Sequence, residues 1–168
     1  PDTESAGAKT AEVVALHTDY SKHGDLVSST AAEWTQNVPR GWQQVEAVVR
    51  HLRQDFTLDR QSTADADCDD VVSRFLTNRS GPDYLFATAA AMLLRELGYP
   101  TRLVTGFYAR QDRFDRRAGQ TPVLADDVHV WAEVYVGGNT WVTIEPTPGY
   151  EPPAENLTFR QWAFACVV

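Results

Sequence analysis

Three residues of the sequence could carry chemistry together: Asp83, His129 and Glu145. Asp83 begins a long apolar segment, whereas His129 and Glu145 stand at the ends of "HVWAEVYV" and "TWVTIE". An imidazole and two carboxylates can act as an acid/base set, or they can hold zinc or manganese. Each residue also has a structural interpretation. Ser80 followed three residues later by Asp83 resembles a capping box, and Glu145 can simply orient the His129 ring.

A β-hairpin must position His129 and Glu145. The first strand alternates two faces, with Val130, Ala132, Val134 and Val136 on one and His129, Trp131, Glu133 and Tyr135 on the other. "GGN" predicts the turn, and a loop at residues 137–139 pairs odd-numbered residues with odd-numbered residues. This register places Glu145 across from Trp131 and diagonal to His129, within reach of long side chains.

A buried helix must position Asp83. The segment 83–97 is apolar nearly all round, which predicts the central helix of the domain, ended by Gly98 and Pro100. Residues 102–108 predict a strand buried between other elements, and residues 41–56 predict an amphipathic helix. Residues 109–127 form a long charged excursion, which is either a functional loop near a site or decoration. The pattern predicts an α+β domain whose central helix packs on an antiparallel sheet.

Composition narrows the classes of partner. The 168 residues fit one domain, 1–168, whose first ten residues, 1–10, we expect to be a flexible arm. The net charge of −8 argues against nucleic acid or an anionic membrane as the main partner. Cys68 and Cys166 lack the spacing of a metal site, and one disulfide between them stays open. No apolar run is long enough to span a bilayer, so we expect any membrane attachment to come from segments outside this chain. The chain does not begin with Met, which indicates a fragment of a longer protein.

Several motifs carry a resemblance to a known family. The sequence contains, in order, "GPDYLFA", "LGYPTR", "VTGFY", "HVWAEVYV" and "WVTIEPTP". Over about residues 40–150 it resembles the transglutaminase-like domain family, the bacterial branch of the papain-like fold. The resemblance implies a papain-like α+β core with a Cys–His–Asp triad, in which a helix-terminal thiolate is the nucleophile.

The resemblance assigns each triad position to a residue of this chain. His129 takes the histidine position and Glu145 the acid position, one methylene longer than the usual Asp, while Asp83 replaces the cysteine. Attack of a carboxylate on an amide would give a mixed anhydride, so we expect thioester-dependent acyl transfer and peptide hydrolysis to be lost. Trp131 and Trp141 are either wall or core residues or a platform that binds substrate.

Two functional hypotheses remain open. The first is a degenerate domain of a larger protein that binds a protein or peptide partner and uses neither cofactor nor metal. By analogy with the family, we expect it in the extracytoplasmic part of a membrane-attached protein. The alternative is an enzyme with altered Asp/His/Glu chemistry, including metal-assisted hydrolysis. An ionic cluster predicts a raised pKa for His129, whereas a metal site requires a neutral ring.

Overall fold

The computed structural model of the chain describes residues 25–62 and 70–150. Within these residues, four α-helices and two very short strands precede a three-stranded sheet. The predicted arm at 1–10 and both cysteines, Cys68 and Cys166, lie outside the described residues. The elements in chain order are α1 (Asp25–Thr35), α2 (Trp42–Asp55), β1 (Thr57–Leu58), α3 (Val71–Asn78), β2 (Ser80–Gly81), α4 (Asp83–Glu96), β3 (Thr101–Phe107), β4 (Val128–Gly137) and β5 (Thr140–Ile144).

Helix α4 is the central element of the domain. It packs against the helices α1, α2 and α3 and against the strands β3 and β4. Phe86, Leu93 and Leu94 are fully buried, and the alanines between them let neighbouring elements approach closely. The aromatic ring of Phe86 lies 4.9 Å from that of Phe75 in α3. Because a helix surrounded by other elements must be apolar on every face, the all-round apolar pattern correctly predicted this position.

The sheet has the strand order β3–β4–β5 and is antiparallel throughout. This arrangement confirms the predicted α+β class and the three predicted strands. The prediction that residues 102–108 are buried between other elements is wrong, since β3 is an edge strand of the described sheet. Leu103 and Phe107 expose 45% and 60% of their surfaces. Only the part of the sheet around Ala132 and Val134 joins the hydrophobic core.

The hairpin between β4 and β5 has the predicted register but a different turn. Gly138 and Asn139 form a two-residue connection, and both have positive φ angles, 57° and 63°, as hairpin turns of the primed types require. Such a turn pairs Gly137 with Thr140, and a bulge before Gly137 then brings Tyr135 opposite Trp141. The bulge shifts the pairing by one residue, so odd-numbered residues face odd-numbered residues through the rest of the hairpin.

The two ends of the excursion between β3 and β4 are joined by a backbone hydrogen bond. The backbone N–H of Tyr108 donates to the carbonyl of Asp127, which closes the base of the excursion. The Asp127 side chain is almost fully buried and accepts two hydrogen bonds from Arg113, at 2.7 and 2.9 Å. This ion pair ties the excursion to the start of β4, directly before His129. Among the described residues, no helix is long and apolar enough to cross a membrane.

Candidate functional site

Asp83, His129 and Glu145 form one continuous hydrogen-bonded cluster. Nδ1 of His129 lies 3.2 Å from Oδ2 of Asp83, and Nε2 lies 2.6 Å from Oε2 of Glu145. The side chains of His129 and Glu145 expose 2% and 5% of their surfaces, whereas Asp83 exposes 25%. The imidazole therefore sits between two carboxylates, one buried and one that reaches solvent.

Asp83 is held by His129 rather than by a capping box. Pro82 is the residue that precedes α4, with no side-chain cap, and Ser80 pairs with Thr57 in the short β1–β2 sheet. Oδ1 of Asp83 accepts a hydrogen bond of 2.7 Å from the backbone N–H of Tyr84. The capping-box interpretation is thus wrong, because the second carboxylate oxygen turns toward His129 instead. The carboxylate still lies in the first turn, where the helix dipole favours a negative charge.

Tyr150 buries the imidazole and was missed by the sequence analysis. Its ring stacks on that of His129 at a centroid distance of 3.8 Å and an angle of 5°. Tyr108 meets both rings edge-on, at 6.0 Å from His129 and 4.9 Å from Tyr150. The guanidinium of Arg60 lies 5.2 Å from the Tyr150 ring. Gly149, with φ 82°, turns the chain back over the site in the "PTPGY" that follows Glu145, but this short segment does not by itself indicate that Tyr150 stacks on His129.

Glu145 is fixed through both its side chain and its backbone. Oε1 accepts the backbone N–H of Thr147 at 2.9 Å, which leaves Oε2 for His129. The Glu145 carbonyl accepts a hydrogen bond of 3.0 Å from Nη1 of Arg53 in α2. The same nitrogen donates to the carbonyl of Tyr150 at 2.8 Å. Arg53 therefore clamps the segment that carries both the acid and the stacking tyrosine, and sequence reasoning had assigned it no role.

The charges of the cluster favour an imidazolium. Burial of the ring lowers the pKa of His129, but the hydrogen bonds to Asp83 and Glu145 and their negative charges outweigh burial and raise the pKa to about 9. The hydrogen bond from His129 lowers the pKa of Asp83, and the charge of Arg60 contributes to the same shift. At neutral pH the cluster is accordingly two carboxylates around one cation.

The comparison with protein families decides which family the chain belongs to. A family model described as "Transglutaminase-like superfamily" matches residues 28–146, which is more than half of the chain. The chain belongs to the transglutaminase-like superfamily. YebA of Bacillus subtilis (strain 168), itself described as uncharacterized, is 31% identical over 136 residues. The aligned region covers 78% of this chain but only 18% of YebA, so the chain spans a small part of that relative.

Solved structures show the same transglutaminase-like fold. Two crystal structures of the periplasmic domain of TgpA from Pseudomonas aeruginosa, one of them bound to ethylmercury, superimpose with TM-scores of 0.69 and 0.68. Both are 24% identical and match 81% of this chain. The chain spans about half of the TgpA domain, 49% and 47% in the two structures. These similarities establish the fold.

Within this transglutaminase-like fold, the cluster geometry does not suit one shared metal ion. Asp83 and Glu145 bind opposite nitrogens of the His129 ring, so a single ion on either nitrogen would have only one of the carboxylates beside it. Across residues 25–62 and 70–150, no group of three His, Cys, Asp or Glu side chains has the geometry to hold a metal. The arrangement instead has the order of a triad, in which an acid, an imidazole and a third group are linked in sequence.

The two tryptophans considered as a substrate platform lie in different places. Trp131 is near the cluster, with its ring 6.3 Å from that of His129. It also covers Gly106, where an added Cβ would lie 2.6 Å from the Trp131 ring. Trp141 instead packs against Arg102, whose guanidinium is 4.2 Å from the ring, and against Tyr135. The structure therefore brings only Trp131 to the cluster.

Proposed function

We propose that this chain is a transglutaminase-like domain that has lost thiol-dependent acyl transfer and serves as a binding or scaffolding module of a larger protein. The observation that carries the proposal is the ion pair between Asp83 and His129. By its resemblance to the family, this chain has Asp83 at the position of the nucleophilic cysteine. A carboxylate there gives no thioester, and its bond to Nδ1 occupies the histidine atom that would activate a nucleophile.

The enclosure of the cluster supports the same proposal. His129 exposes 2% of its side chain, and the stacked Tyr150 ring covers one of its faces. An imidazole that is charged, bonded at both nitrogens and covered by an aromatic ring joins the start of α4 to the end of the hairpin. In this role the former catalytic positions stabilise the fold, which leaves the surface of the domain for a protein or peptide partner. The TgpA domain is periplasmic, and we extend an extracytoplasmic location to this chain as part of the proposal.

A second candidate is an enzyme with altered chemistry. It is favoured by the exposure of Asp83, 25% of whose side chain reaches solvent while the order of carboxylate, imidazole and acid is retained. In such an enzyme Asp83 would act as the nucleophile or base, and Glu145 would orient His129. Hydrolysis of peptide or ester substrates by the wild-type chain, abolished by His129→Gln, would favour this candidate over the binding role.

The direct test compares the wild-type chain with Asp83→Cys. We expect the wild type neither to cross-link nor to deamidate glutamine peptides. In a chain with both native cysteines replaced by serine, Asp83→Cys should react with iodoacetamide at about pH 6 at least ~10-fold faster than Ser80→Cys. The helix terminus and the His129 imidazolium lower the pKa of a thiol at position 83, whereas Ser80 is exposed and lies outside the cluster. Wild-type turnover of glutamine peptides that is lost on alkylation of Cys68 would contradict the proposal.

A further inference from the structure

Strand β3 has one backbone edge that pairs with no other strand of the described residues. On its other edge, Pro100 before the strand and Tyr108 after it make backbone hydrogen bonds of 2.9 and 2.7 Å across the pair with β4. The register between these two bonds is continuous. Because bonded positions alternate along an antiparallel pair, the even-numbered residues of β3 bond to β4. The N–H and carbonyl groups of Leu103, Thr105 and Phe107 therefore point away from β4, toward the free edge.

The side chains at the free edge are exposed and mostly apolar. Leu103 and Phe107 expose 45% and 60% of their surfaces, and Thr105 between them is also exposed. Leu103 lies opposite Ala132 of β4, which is fully buried in the hydrophobic core, and Phe107 lies opposite Val128, which is 48% exposed. Since opposite residues of a pair share one face of the sheet, the apolar face that begins in the core continues outward to the free edge.

Strand β3 lacks the features that usually keep an edge strand from pairing. Edge strands of natural proteins are commonly short, or they carry a lysine, a proline or a bulge. β3 has seven residues, contains neither lysine nor proline, and pairs with β4 without a register shift. Its single charged residue, Arg102, pairs with Glu133 of the same chain at 2.6 Å. Because side chains alternate along a strand, Arg102 lies on the face opposite to Leu103 and Phe107, so β3 places no charge on the apolar face.

A segment of a partner protein suits this edge better than a second copy of the chain does. Pairing of β3 with β3 would join seven residues from each copy, whereas a stable interface uses roughly 20–30 residues a side. Two copies, each with a net charge of −8, would also repel one another. Addition of a strand to a sheet edge, in contrast, binds a short extended segment through main-chain hydrogen bonds, and its alternate side chains supply the specificity.

We propose that an extended segment of a partner protein adds to the free edge of β3 as a further strand, with apolar, uncharged side chains at the alternate positions that cover Leu103 and Phe107. A charge at those positions would be buried against an apolar face and would find no opposite charge in β3. The inference rests on the proposed function, since it gives the protein or peptide partner of that module a docking surface. His129 stands opposite Gly106, on the other face of the sheet, so the cluster takes no part in docking.

The first test measures binding of a synthetic peptide by fluorescence anisotropy. The probe alternates threonine and valine between two terminal lysines, and the control peptide has the same composition with its valines contiguous. Both peptides carry the same charge, so attraction to a chain of net charge −8 is the same for both. We expect the alternating peptide to bind at least ~10-fold more tightly, because only this peptide presents all its valines on one face of a strand. Equal binding, or binding of neither peptide, would overturn the proposal.

Three substitutions that add the same charge locate the binding surface. Leu103→Lys and Phe107→Lys should each weaken binding of the alternating peptide by ~10-fold or more, because the docked valines would cover an unpaired ammonium group. The matched control is Val136→Lys. Val136 is 50% exposed but belongs to β4, which is paired on both edges, so its affinity should stay within about twofold of the wild type. Circular dichroism verifies that each variant is folded. Equal losses in all three variants, or in none, would contradict docking at β3.

Amide hydrogen exchange, measured residue by residue by NMR, tests the strand pairing itself. In the free chain the N–H groups of Leu103, Thr105 and Phe107 should exchange rapidly, and bound peptide should slow them by ~10-fold or more. The even-numbered residues of β3 already bond to β4 and should change little. Protection of the three N–H groups in the free chain would overturn the proposal, because other residues of the chain or a second copy would already cover the edge. Failure of these tests removes β3 as the docking surface only; the loss of thiol chemistry is decided separately by the glutamine-peptide assay and by labelling of Asp83→Cys.

Discussion

The charge of His129 should make the stability of the domain depend on pH in the alkaline range. The pKa of His129 is raised from 6.5 to about 9 in the folded chain. A group whose folded pKa lies above its unfolded pKa stabilises the fold fully below the unfolded value, and this stabilisation is lost as the pH rises through the folded one. Each pKa unit corresponds to ~1.4 kcal/mol, so the protonated ring should contribute about 3 kcal/mol near pH 6 and almost nothing near pH 10.

The assay is urea unfolding of the wild type and of His129→Gln, monitored by tryptophan fluorescence at several pH values between about 6 and 10. Glutamine does not titrate in this range. The pH-dependent part of the difference in stability between the two chains therefore isolates His129 from tyrosines and lysines, which titrate in an overlapping pH range. We expect this difference in the free energy of unfolding to fall by about 3 kcal/mol across the range. Asp83→Asn removes one of the two carboxylates and should give a smaller fall.

An NMR titration of the His129 ring supplies the independent measurement. Its resonances are assigned by their loss in His129→Gln, since the chain has four histidines. A pKa at or below 6.5 would refute the ionic cluster, as would wild-type and variant stabilities with the same slope above neutral pH. On the acid side the sign reverses: the pKa of Asp83 is lowered, so its contribution is present above its unfolded pKa and is lost as the pH falls through the folded value.

Three further substitutions test packing in the domain. Thr147 is fully buried, and its hydroxyl has no hydrogen-bond partner among the described residues, so Thr147→Val should raise the free energy of unfolding by ~1 kcal/mol. Thr101→Val is the control: it removes a buried hydroxyl that donates to a carbonyl, so it should lower the free energy of unfolding by about as much. Gly106→Ala should lower it by ~1–3 kcal/mol because the new Cβ meets the Trp131 ring. Urea unfolding measures all three. A cost at Gly106 that persists unchanged in a Trp131→Leu chain would contradict this cause.

The elements that could be predicted from the sequence are those whose hydrophobic pattern along the chain reflects how they are buried. Helix α4 is apolar on all sides because other elements surround it, and the alternation in β4 follows from one face lying in the core around Ala132 and Val134. The hairpin register followed because a one-residue slip would expose that face. From these local patterns and the family motifs, the proximity of His129 and Glu145 could be predicted before the structure was known.

Other features depend on contacts between distant residues and left no local signal. A short apolar segment such as β3 has the same pattern in a buried central strand and in a partly exposed edge strand. Its position at the edge of the sheet therefore could not be predicted from the sequence. Ser80 and Asp83 have the spacing of a capping box, yet the more favourable partner of Asp83 comes from a strand 46 residues later. The stacking of Tyr150 depends on a turn at Gly149 and on the Arg53 clamp, which no single motif encodes.

The Asp83 carboxylate beside His129 changes what the histidine can do. A neutral imidazole can accept a proton, but a ring with a pKa of about 9 is neutral in only roughly 1% of molecules at pH 7. Deprotonating it would also leave Glu145 buried beside an uncharged partner, because only 5% of that side chain reaches solvent. The same two carboxylates that strengthen the cluster therefore suppress general-base catalysis. Hydrolytic chemistry at this site would begin at the Asp83 carboxylate, which is the most exposed member of the cluster, with 25% of its side chain open to solvent.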